Sequence, residues 1–335
     1  MNHLQPKRRR FIGIMAATTA LSATPWAARH AWAGTTSRSE SLTSWRGIAL
    51  GADAELHINH PDSKFARTLI EHAVNEVRRL EMIFSLYTPD SALAQLNANG
   101  RLEQAPGDLV RLLHASRGFS EITQGAFDPT VQPLWTLYAR TAAAGRKAPD
   151  AAALQEALAQ VDYRAVAVEG RSVRLTRPGM ALTLNGIAQG YITDRVTELL
   201  RDAGLEHALV DMGEIRGLNQ NPADRAWRVG LADEGNDRSP LRIIEIRNRA
   251  VSTSSDMGTA LNASGTMTHL FDPRSGAARA RYRSVSIAAN NATSADALST
   301  ASSLLEESDI LRLSRELNLQ AWILREGDSE LRIVA

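Results

Sequence analysis

The first third of the chain carries apolar residues at the spacing of a helix. Leu69, Ala73, Val77 and Leu80 follow a 3.6-residue period after the segment Pro61-Asp62-Ser63. Such a period is typical of a helix that packs one face on a core, and an Asp just before it is a common N-terminal cap. We therefore expect an amphipathic helix from about residue 63 to residue 84.

The rest of the pattern mixes helical and strand-like segments. Further helices are predicted over about residues 108–122, 150–160, 191–203 and 308–317, with one more that begins near Thr293 and Ser294. Strands are predicted over residues 47–59, 180–184, 207–212, 227–232, 241–252, 284–288, 320–325 and 330–334. Because helices and strands do not alternate regularly, we expect one large α+β domain of mixed sheets and helices, and not a doubly wound parallel sheet.

The N-terminal residues have the composition of an export signal. A basic run, Lys7-Arg8-Arg9-Arg10-Phe11, precedes a short apolar stretch, and Ala31-Trp32-Ala33 is a small-x-small cleavage site. A membrane anchor is the alternative, but the apolar stretch is shorter than the roughly 20 residues that span a bilayer. We predict a twin-arginine-type signal over residues 1–33, a polar linker over 34–45, one domain over 46–335, and a periplasmic location.

The charge balance and the absence of cysteine exclude some classes of function and some kinds of site. The chain has 38 basic and 37 acidic residues, but residues 1–33 hold five of the basic residues and none of the acidic ones. The remainder is mildly acidic and has no basic stripe, which argues against a nucleic-acid-binding protein. The absence of cysteine excludes disulfides and thiolate metal sites.

A carboxylate and a hydroxyl lie about one turn apart in the helix predicted after Thr293. Asp296 and Thr300 are at positions i and i+4, so their oxygens share one face of that helix. Hard oxygen ligands of this kind suit a Mg²⁺ ion that is also held by phosphate oxygens. The alternative interpretation is that Asp296 only complements the partial positive charge at the start of the helix.

Several segments occur in the order found in a known family. Residues 125–131, 184–194, 269–276 and 295–300 together resemble the motifs of the ApbE family, the FAD:protein FMN transferases. Residues 85–91 and 50–52 resemble two weaker motifs of the same family. The resemblance covers almost the whole chain after residue 33. It implies a two-lobed domain with FAD in the cleft between the lobes.

The resemblance also implies a metal site and catalytic residues. The carbonyl oxygen of Gly186, together with Asp296 and Thr300, corresponds to the family's metal ligands. His269 lies in a matched motif, and a neutral imidazole is a natural general base for a hydroxyl near neutral pH. We therefore take His269 and Asp296 as the candidate catalytic residues, with Mg²⁺ as the metal.

The flavin contacts implied by the resemblance are spread over the chain. They are Leu50, Tyr87, Ala126, Phe127, Asp128, Thr183, Gln189 and Leu270. The sequence departs from the family pattern at some of these positions. Many members have Asp at the position of Thr183 and Lys or Glu at that of Gln189, and Glu214 stands where the family often has a second glycine.

The function implied is Mg²⁺-dependent transfer of FMN from FAD to a Thr or Ser hydroxyl of an exported or membrane acceptor protein, with release of AMP. One alternative is an FAD pyrophosphatase, in which water replaces the acceptor hydroxyl. Another is a non-catalytic flavin-binding or maturation protein. The signal and the segment 184–191 are similar to the NosX-like branch of the family. That likeness implies a membrane regulator of nitrous-oxide respiration as the acceptor.

Overall fold

The predicted amphipathic helix is present as α1, Ser63–Phe84. The computed structural model describes residues 42–221, 223, 225–232, 240–256, 261 and 268–335, so the predicted signal lies outside the described residues. Asp62 caps α1, because its Oδ1 accepts hydrogen bonds from the N–H groups of Lys64 at 2.8 Å and Phe65 at 3.1 Å. No helix among the described residues is both long enough and apolar enough to cross a membrane.

The remaining helices and the strands follow one another in irregular order along the chain. The helices are α2 Ala92–Asn99, α3 Gly107–Ile122, α4 Gln132–Ala143, α5 Ala151–Leu158, α6 Ala188–Asp202, α7 Ala292–Ser302 and α8 Glu307–Leu317. The strands are β1 Leu42–Ala49, β2 Ala52–Asn59, β3 Arg101–Leu102, β4 Val166–Glu169, β5 Ser172–Leu175, β6 Ala208–Asp211, β7 Ile215–Leu218, β8 Trp227–Leu231, β9 Arg242–Ile246, β10 Ala250–Ser255, β11 Ser284–Ala289, β12 Gln320–Leu324 and β13 Arg332–Ile333.

The strands form three antiparallel sheets. The largest has eight strands in the order β1-β2-β6-β7-β10-β11-β12-β13, and the smaller sheets have the orders β3-β5-β4 and β8-β9. Eight helices accompany these sheets within the described residues. The predicted α+β class is confirmed.

The two faces of the large sheet pack on different layers. Along β12, Ala321 and Ile323 belong to the main core that the helices complete, whereas Trp322 belongs to a second apolar cluster with the β8-β9 hairpin. This alternation follows from the two-residue period of a strand. A third cluster joins α4 and α5 around Phe271. The sheet is thereby covered on both faces, and α6 and α7 lie on the main-core side.

Two of the predicted strands are wrong in extent, because each is a pair of strands. In the segment 47–59, Leu50 and Gly51 have φ values of 47° and 84° and make the turn between β1 and β2. β1 begins at Leu42, which pairs with Asn59, so residues 42–45 belong to the sheet and not to the predicted linker. The segment 241–252 likewise contains a turn, with Asn248 at a φ of 49°, between β9 and β10.

Two further local predictions are corrected by side-chain hydrogen bonds. Residues 180–184 are not a strand, because the side-chain amide of Asn97 takes the place of a neighbouring strand and bonds both the N–H and the carbonyl of Leu182, at 2.7 and 2.8 Å. The cap of α7 is Asn291, whose Oδ1 accepts from the N–H of Ser294 at 2.8 Å. Thr293 lies inside the helix.

Candidate functional site

One cavity gathers most of the predicted site residues. Its volume is about 220 Å³. The predicted residues that line it are Ala126, Phe127, Asp128, Thr183, Gly186, Gln189, His269, Leu270, Asp296 and Thr300. Leu50 and Tyr87 do not line it. The N–H of Leu50 donates to Glu81 at 2.8 Å, and Tyr87 is 66% exposed, so their flavin contacts stay predictions.

The three residues predicted to hold a metal lie together. Asp296 and Thr300 are on one face of α7, and a Cβ built on Gly186 would lie only 2.9 Å from Oγ1 of Thr300. Asp296 is buried, and its Oδ2 accepts a hydrogen bond from the N–H of Gly190 at 2.9 Å. The start of α6 therefore meets the first turns of α7 at the cavity, and the predicted ligands come from α7 and from the turn that precedes α6.

Gly190 allows this approach of α6 to α7. A Cβ at this position would lie 2.3 Å from the carbonyl oxygen of Ala292 and 2.8 Å from Cβ of Asp296, both far inside contact distance. Glycine at position 190 is thus a packing requirement of the contact between α6 and α7. The N-terminus of α6 carries partial positive charge, which favours an anion beside Gly186 and Gln189 in the cavity.

Asp194 fixes the N-terminus of α7. Its Oδ1 accepts from the N–H of Ala292 at 2.8 Å and from Arg216 at 2.5 Å. Its Oδ2 accepts from the N–H of Thr293 at 2.8 Å and from the Thr293 hydroxyl at 2.5 Å. Asp194 and Arg216 are both buried. This carboxylate therefore satisfies N–H groups that the helix leaves unbonded, and it anchors the helix that carries Asp296.

The cavity concentrates acidic groups. Burial raises the pKa of Asp296 to about 7, the N–H of Gly190 opposes this, and the charge of Asp194 adds to it. Burial also raises the pKa of Glu214 well above its usual range, and the charge of Asp296 raises it further. Among the described residues that line the cavity there is no Lys or Arg. Buried carboxylates without a cationic side chain fit a bound cation, which is what the predicted Mg²⁺ ligands require.

This candidate metal site is not a cluster of acidic and histidine side chains. In the part of the chain that the structure describes, no three His, Asp or Glu side chains are grouped as metal ligands. The oxygens available are the carboxylates of Asp296 and Glu214, the hydroxyl of Thr300 and the backbone of Gly186. Such a set is made only of hard oxygen donors, which suits Mg²⁺ better than a softer metal.

Asp128 shapes the opposite wall of the cavity. Its Oδ1 accepts from the N–H and the hydroxyl of Thr130 at 2.8 and 2.6 Å, and its Oδ2 accepts from the N–H of Tyr163 at 3.0 Å. Burial raises its pKa, and these hydrogen bonds oppose the rise. Asp128 therefore holds the 126–131 turn in place. Its predicted contact with FAD stays a prediction.

The positions that depart from the family pattern also lie in the wall. The N–H of Thr183 donates to the carbonyl of Pro129 at 2.8 Å, which ties this segment to the 126–131 turn. The side chain of Gln189 reaches the turn before β7, because a Cβ on Gly213 would lie 2.8 Å from its Nε2. Both residues still line the cavity, so their polar groups remain beside the space for a ligand.

His269 is half-buried and lines the cavity beside Leu270 and Phe271. Two residues of the same motif are engaged elsewhere. Asp272 and Arg274 form a two-fold ion pair, with Nε to Oδ1 at 2.9 Å and Nη2 to Oδ2 at 3.1 Å. Neither of them lines the cavity. From this motif, His269 reaches the cavity, and its role as a general base stays a prediction.

Sequence reasoning missed several residues of the wall, among them Trp135, Glu214 and Leu304. Trp135 lies on α4, a helix that the apolar pattern does not predict, so nothing in the sequence places its ring near the motifs. Glu214 is visible in the sequence only as a departure from the second family glycine, and the residue is 8% exposed and lines the cavity. Thr253, Ser254 and Ser255 also line the cavity, at the end of β10.

Comparison with known proteins agrees with the motifs. Residues 50–323 match the model of the ApbE family. An FAD:protein FMN transferase of Treponema pallidum is 33% identical over 271 residues, which cover 74% of this chain and 74% of that protein. The ApbE protein of Thermotoga maritima, solved as a crystal structure, matches with a TM-score of 0.78 and 27% identity, over 87% of this chain and 96% of that one. The chain belongs to the ApbE family.

Proposed function

We propose that this protein transfers FMN from FAD to a Thr or Ser hydroxyl of an acceptor protein, in a Mg²⁺-dependent reaction that releases AMP. The transferase activity is supported by the relatives, which are named FAD:protein FMN transferases. The observation that carries the finer proposal is the cavity itself. It joins Gly186, Asp296 and Thr300, contains no Lys or Arg among its described residues, and includes a candidate base, His269.

The pyrophosphate of FAD is an anion, and buried carboxylates would repel it. A cation held by Asp296, Thr300 and the Gly186 carbonyl removes that conflict. When bound, Mg²⁺ supplies positive charge that neutralises the pyrophosphate and the phosphate of the leaving AMP. The N-terminus of α6 adds the partial positive charge of its backbone at the same wall.

The chemical step is a displacement at the FMN phosphorus. His269 takes the proton from the acceptor hydroxyl, and the hydroxyl oxygen forms a bond to that phosphorus. The bond between the same phosphorus and the oxygen that bridges to AMP breaks, and AMP leaves with the electron pair. The acceptor then carries FMN through a phosphodiester. The walls formed by residues 126–131 and 269–271 position FAD and exclude water, which favours transfer over hydrolysis.

An acceptor peptide tests this proposal. The chain without residues 1–33 is incubated with FAD, Mg²⁺ and a peptide that contains one Thr, and the products are read by mass. We expect a peptide that has gained FMN, together with AMP. Free FMN and AMP with an unmodified peptide would instead support the pyrophosphatase, and FAD that is bound but not cleaved would support a flavin-binding protein.

Replacing Asp296 is the most direct test of the proposed metal site. Asp296→Asn should lower transfer by at least about 100-fold, because losing one ligand weakens a charge stabilisation worth several kcal/mol. Thr300→Ala should have a smaller effect, since a neutral hydroxyl is the weaker ligand. Asp202→Asn, at an exposed end of α6, is the matched control and should leave transfer unchanged. Mg²⁺-dependent turnover at the normal rate in Asp296→Asn would refute the metal assignment.

The cell compartment and the acceptor complete the proposal. The signal predicted over residues 1–33 directs the protein to the periplasm, and the likeness to the NosX-like branch favours a membrane regulator of nitrous-oxide respiration as acceptor. Changing Arg8 and Arg9 to Lys should leave the protein in the cytoplasmic fraction of the expressing cell. Periplasmic recovery of that variant at the wild-type level would refute the twin-arginine route.

A further inference from the structure

Glu214 is a buried acidic side chain at a position the motifs did not assign. It directly precedes β7, next to Gly213, and its residue is 8% exposed. Its backbone is held firmly, because its carbonyl accepts from the hydroxyl of Thr193 at 3.1 Å and from the N–H of Met212 at 3.2 Å. The side chain lines the same cavity as Asp296 and Thr300.

A chain of hydroxyl groups connects Glu214 to the turn that carries Asp296. The hydroxyl of Ser252 is close enough to the Glu214 carboxylate to lower its pKa, and its Oγ lies 2.9 Å from Oγ of Ser299. Ser299 is bonded in turn to the carbonyl of Asp296 at 3.0 Å. On the other side Ser299 Oγ lies 2.8 Å from Oγ of Ser254. Glu214 is therefore linked to the first turns of α7 by only two side chains.

These hydroxyl groups can stabilise an ionised Glu214 by hydrogen bonding. Ser252 can donate its proton to the carboxylate. Ser299 then gives its single proton either to Ser252 or to the carbonyl of Asp296, because each hydroxyl has one donor and two acceptor sites. Oγ of Ser254 lies 3.4 Å from Oγ1 of Thr300, so the same network also reaches the second residue of the metal motif. The network has donors for a negative charge on Glu214, but it contains no positive charge that would balance it.

Two buried carboxylates in one cavity repel each other unless a cation or a proton neutralises them. No Lys or Arg lines this cavity within the described residues, and Arg216, the nearest arginine along the chain, is paired with Asp194. A divalent cation is the group that would allow both Glu214 and Asp296 to be ionised.

We propose that Glu214 supplies a second carboxylate to the cation site of Asp296, Thr300 and Gly186, so that this protein binds its metal before FAD arrives. The inference rests on the proposed metal-dependent function. If the protein supplied only one carboxylate, the pyrophosphate of FAD would have to supply much of the cation's ligand set. With two carboxylates the protein's own oxygens hold the cation, because charge on the ligands is a main determinant of affinity for hard cations.

Metal binding without substrate tests this inference. The FAD-free chain, without residues 1–33, is titrated with Mn²⁺, and free Mn²⁺ is followed by its electron paramagnetic resonance signal. We expect one Mn²⁺ to bind and Mg²⁺ to displace it. Glu214→Gln and Glu214→Gly should raise the Kd for Mn²⁺ at least about tenfold, since even groups that only orient ligands are worth about 10–100-fold.

The controls separate this inference from the proposed function. Glu198→Gln, on a solvent-facing part of α6, should keep the wild-type Kd. Asp296→Asn should lose Mn²⁺ binding altogether. If Asp296→Asn loses binding and both Glu214 variants keep the wild-type Kd, the role of Glu214 is refuted while the metal site stands. If the wild type binds no Mn²⁺ without FAD, metal binding before FAD is refuted, and the transfer assay then decides the proposed function separately.

Folding of the variants is checked by their thermal unfolding and circular dichroism. Glu214→Gln keeps the size of the side chain and its hydrogen bond to Ser252, so it should fold like the wild type. Glu214→Gly removes the side chain altogether. A Kd that rises in a folded Glu214→Gln protein supports the ligand role, and a Kd that is unchanged in either folded variant overturns it.

Discussion

Replacing Asp194 tests whether α7 is held in place by one carboxylate. Asp194 is 6% exposed, accepts three hydrogen bonds from Ala292 and Thr293, and pairs with Arg216, which is 9% exposed. Asp194→Ala leaves the guanidinium of Arg216 buried without its partner, which typically costs about 3–5 kcal/mol. The N–H groups at the start of α7 also lose an acceptor, an effect comparable to the loss of a helix cap at about 1 kcal/mol.

We therefore expect Asp194→Ala to lower the free energy of unfolding by about 4–6 kcal/mol, and Asp194→Asn to lower it less, because the amide oxygen still accepts one set of hydrogen bonds. Urea denaturation followed by tryptophan fluorescence measures this, since the chain has six tryptophans. Arg216→Met, alone and combined with Asp194→Ala, completes a double-mutant cycle. The double variant should be more stable than the sum of the two single losses predicts.

Two results would refute this reasoning. A loss below about 1 kcal/mol in Asp194→Ala would place the pair in the range of exposed ion pairs, contrary to its burial. Strictly additive losses in the cycle would mean that the two side chains do not interact across the contact. If the anchor is as strong as expected, Asp194→Asn should also weaken Mn²⁺ binding, because α7 carries Asp296. An unchanged Kd would limit Asp194 to stability alone.

Three further changes have defined outcomes. Gly190→Ala should destabilise the fold and reduce transfer, because its Cβ would lie 2.3 Å from the carbonyl oxygen of Ala292. Thermal unfolding measures the stability, and the mass assay measures the transfer. Wild-type values in the two measurements would contradict the close packing. Burial alone would raise the pKa of Asp108, but hydrogen bonds from Tyr191 and two arginines lower it to about 2. Because the pKa of Asp108 is lower in the folded than in the unfolded state, its contribution of about 2 kcal/mol to the free energy of unfolding is present above pH 4 and is lost as the pH falls toward 2. Asp108→Asn should remove that part of the acid sensitivity in urea titrations. An unchanged pH profile of stability in this variant would contradict the assignment. His269→Ala should lower kcat for transfer by roughly 10²–10⁴-fold with little change in the KM for FAD; a rate that recovers fully at saturating FAD would make His269 a binding residue.

Much of the local structure could be predicted from the sequence where the pattern is strong. The helix expected over 108–122 is α3, Gly107–Ile122, and the one expected over 308–317 is α8, Glu307–Leu317. Both have an apolar face of regular spacing. The strands were harder, because a two-residue turn such as Leu50 and Gly51 does not interrupt an alternating pattern, and one side-chain amide, that of Asn97, replaces a strand partner at Leu182.

Only the site residues that lie within a family motif could be predicted from the sequence. Segments near residues 126, 186, 269 and 296 line one cavity because the antiparallel sheet and the contact of α6 with α7 bring them together. Hydrophobic periodicity cannot show such long-range contacts. The order of the family motifs along the chain was the sequence signal that indicated them. Residues outside a motif had no such signal, so Trp135 was missed although it lines the same wall. Leu50 and Tyr87 had a weak motif each, and neither lines the cavity.

The position of the metal motif depends on contacts that lie far away in the sequence. The i, i+4 spacing of Asp296 and Thr300 puts two oxygens on one face of α7, but any helix could present such a face to any neighbour. Asp194 and Gly190, about a hundred residues earlier on α6, determine which neighbour it meets. The carboxylate anchors the start of α7, and the glycine lets its first turns touch α6. The segment that brings the N-terminus of α6 to the cavity therefore also orients the residues proposed to hold the cation, and a change in that segment should affect metal binding and anion binding together.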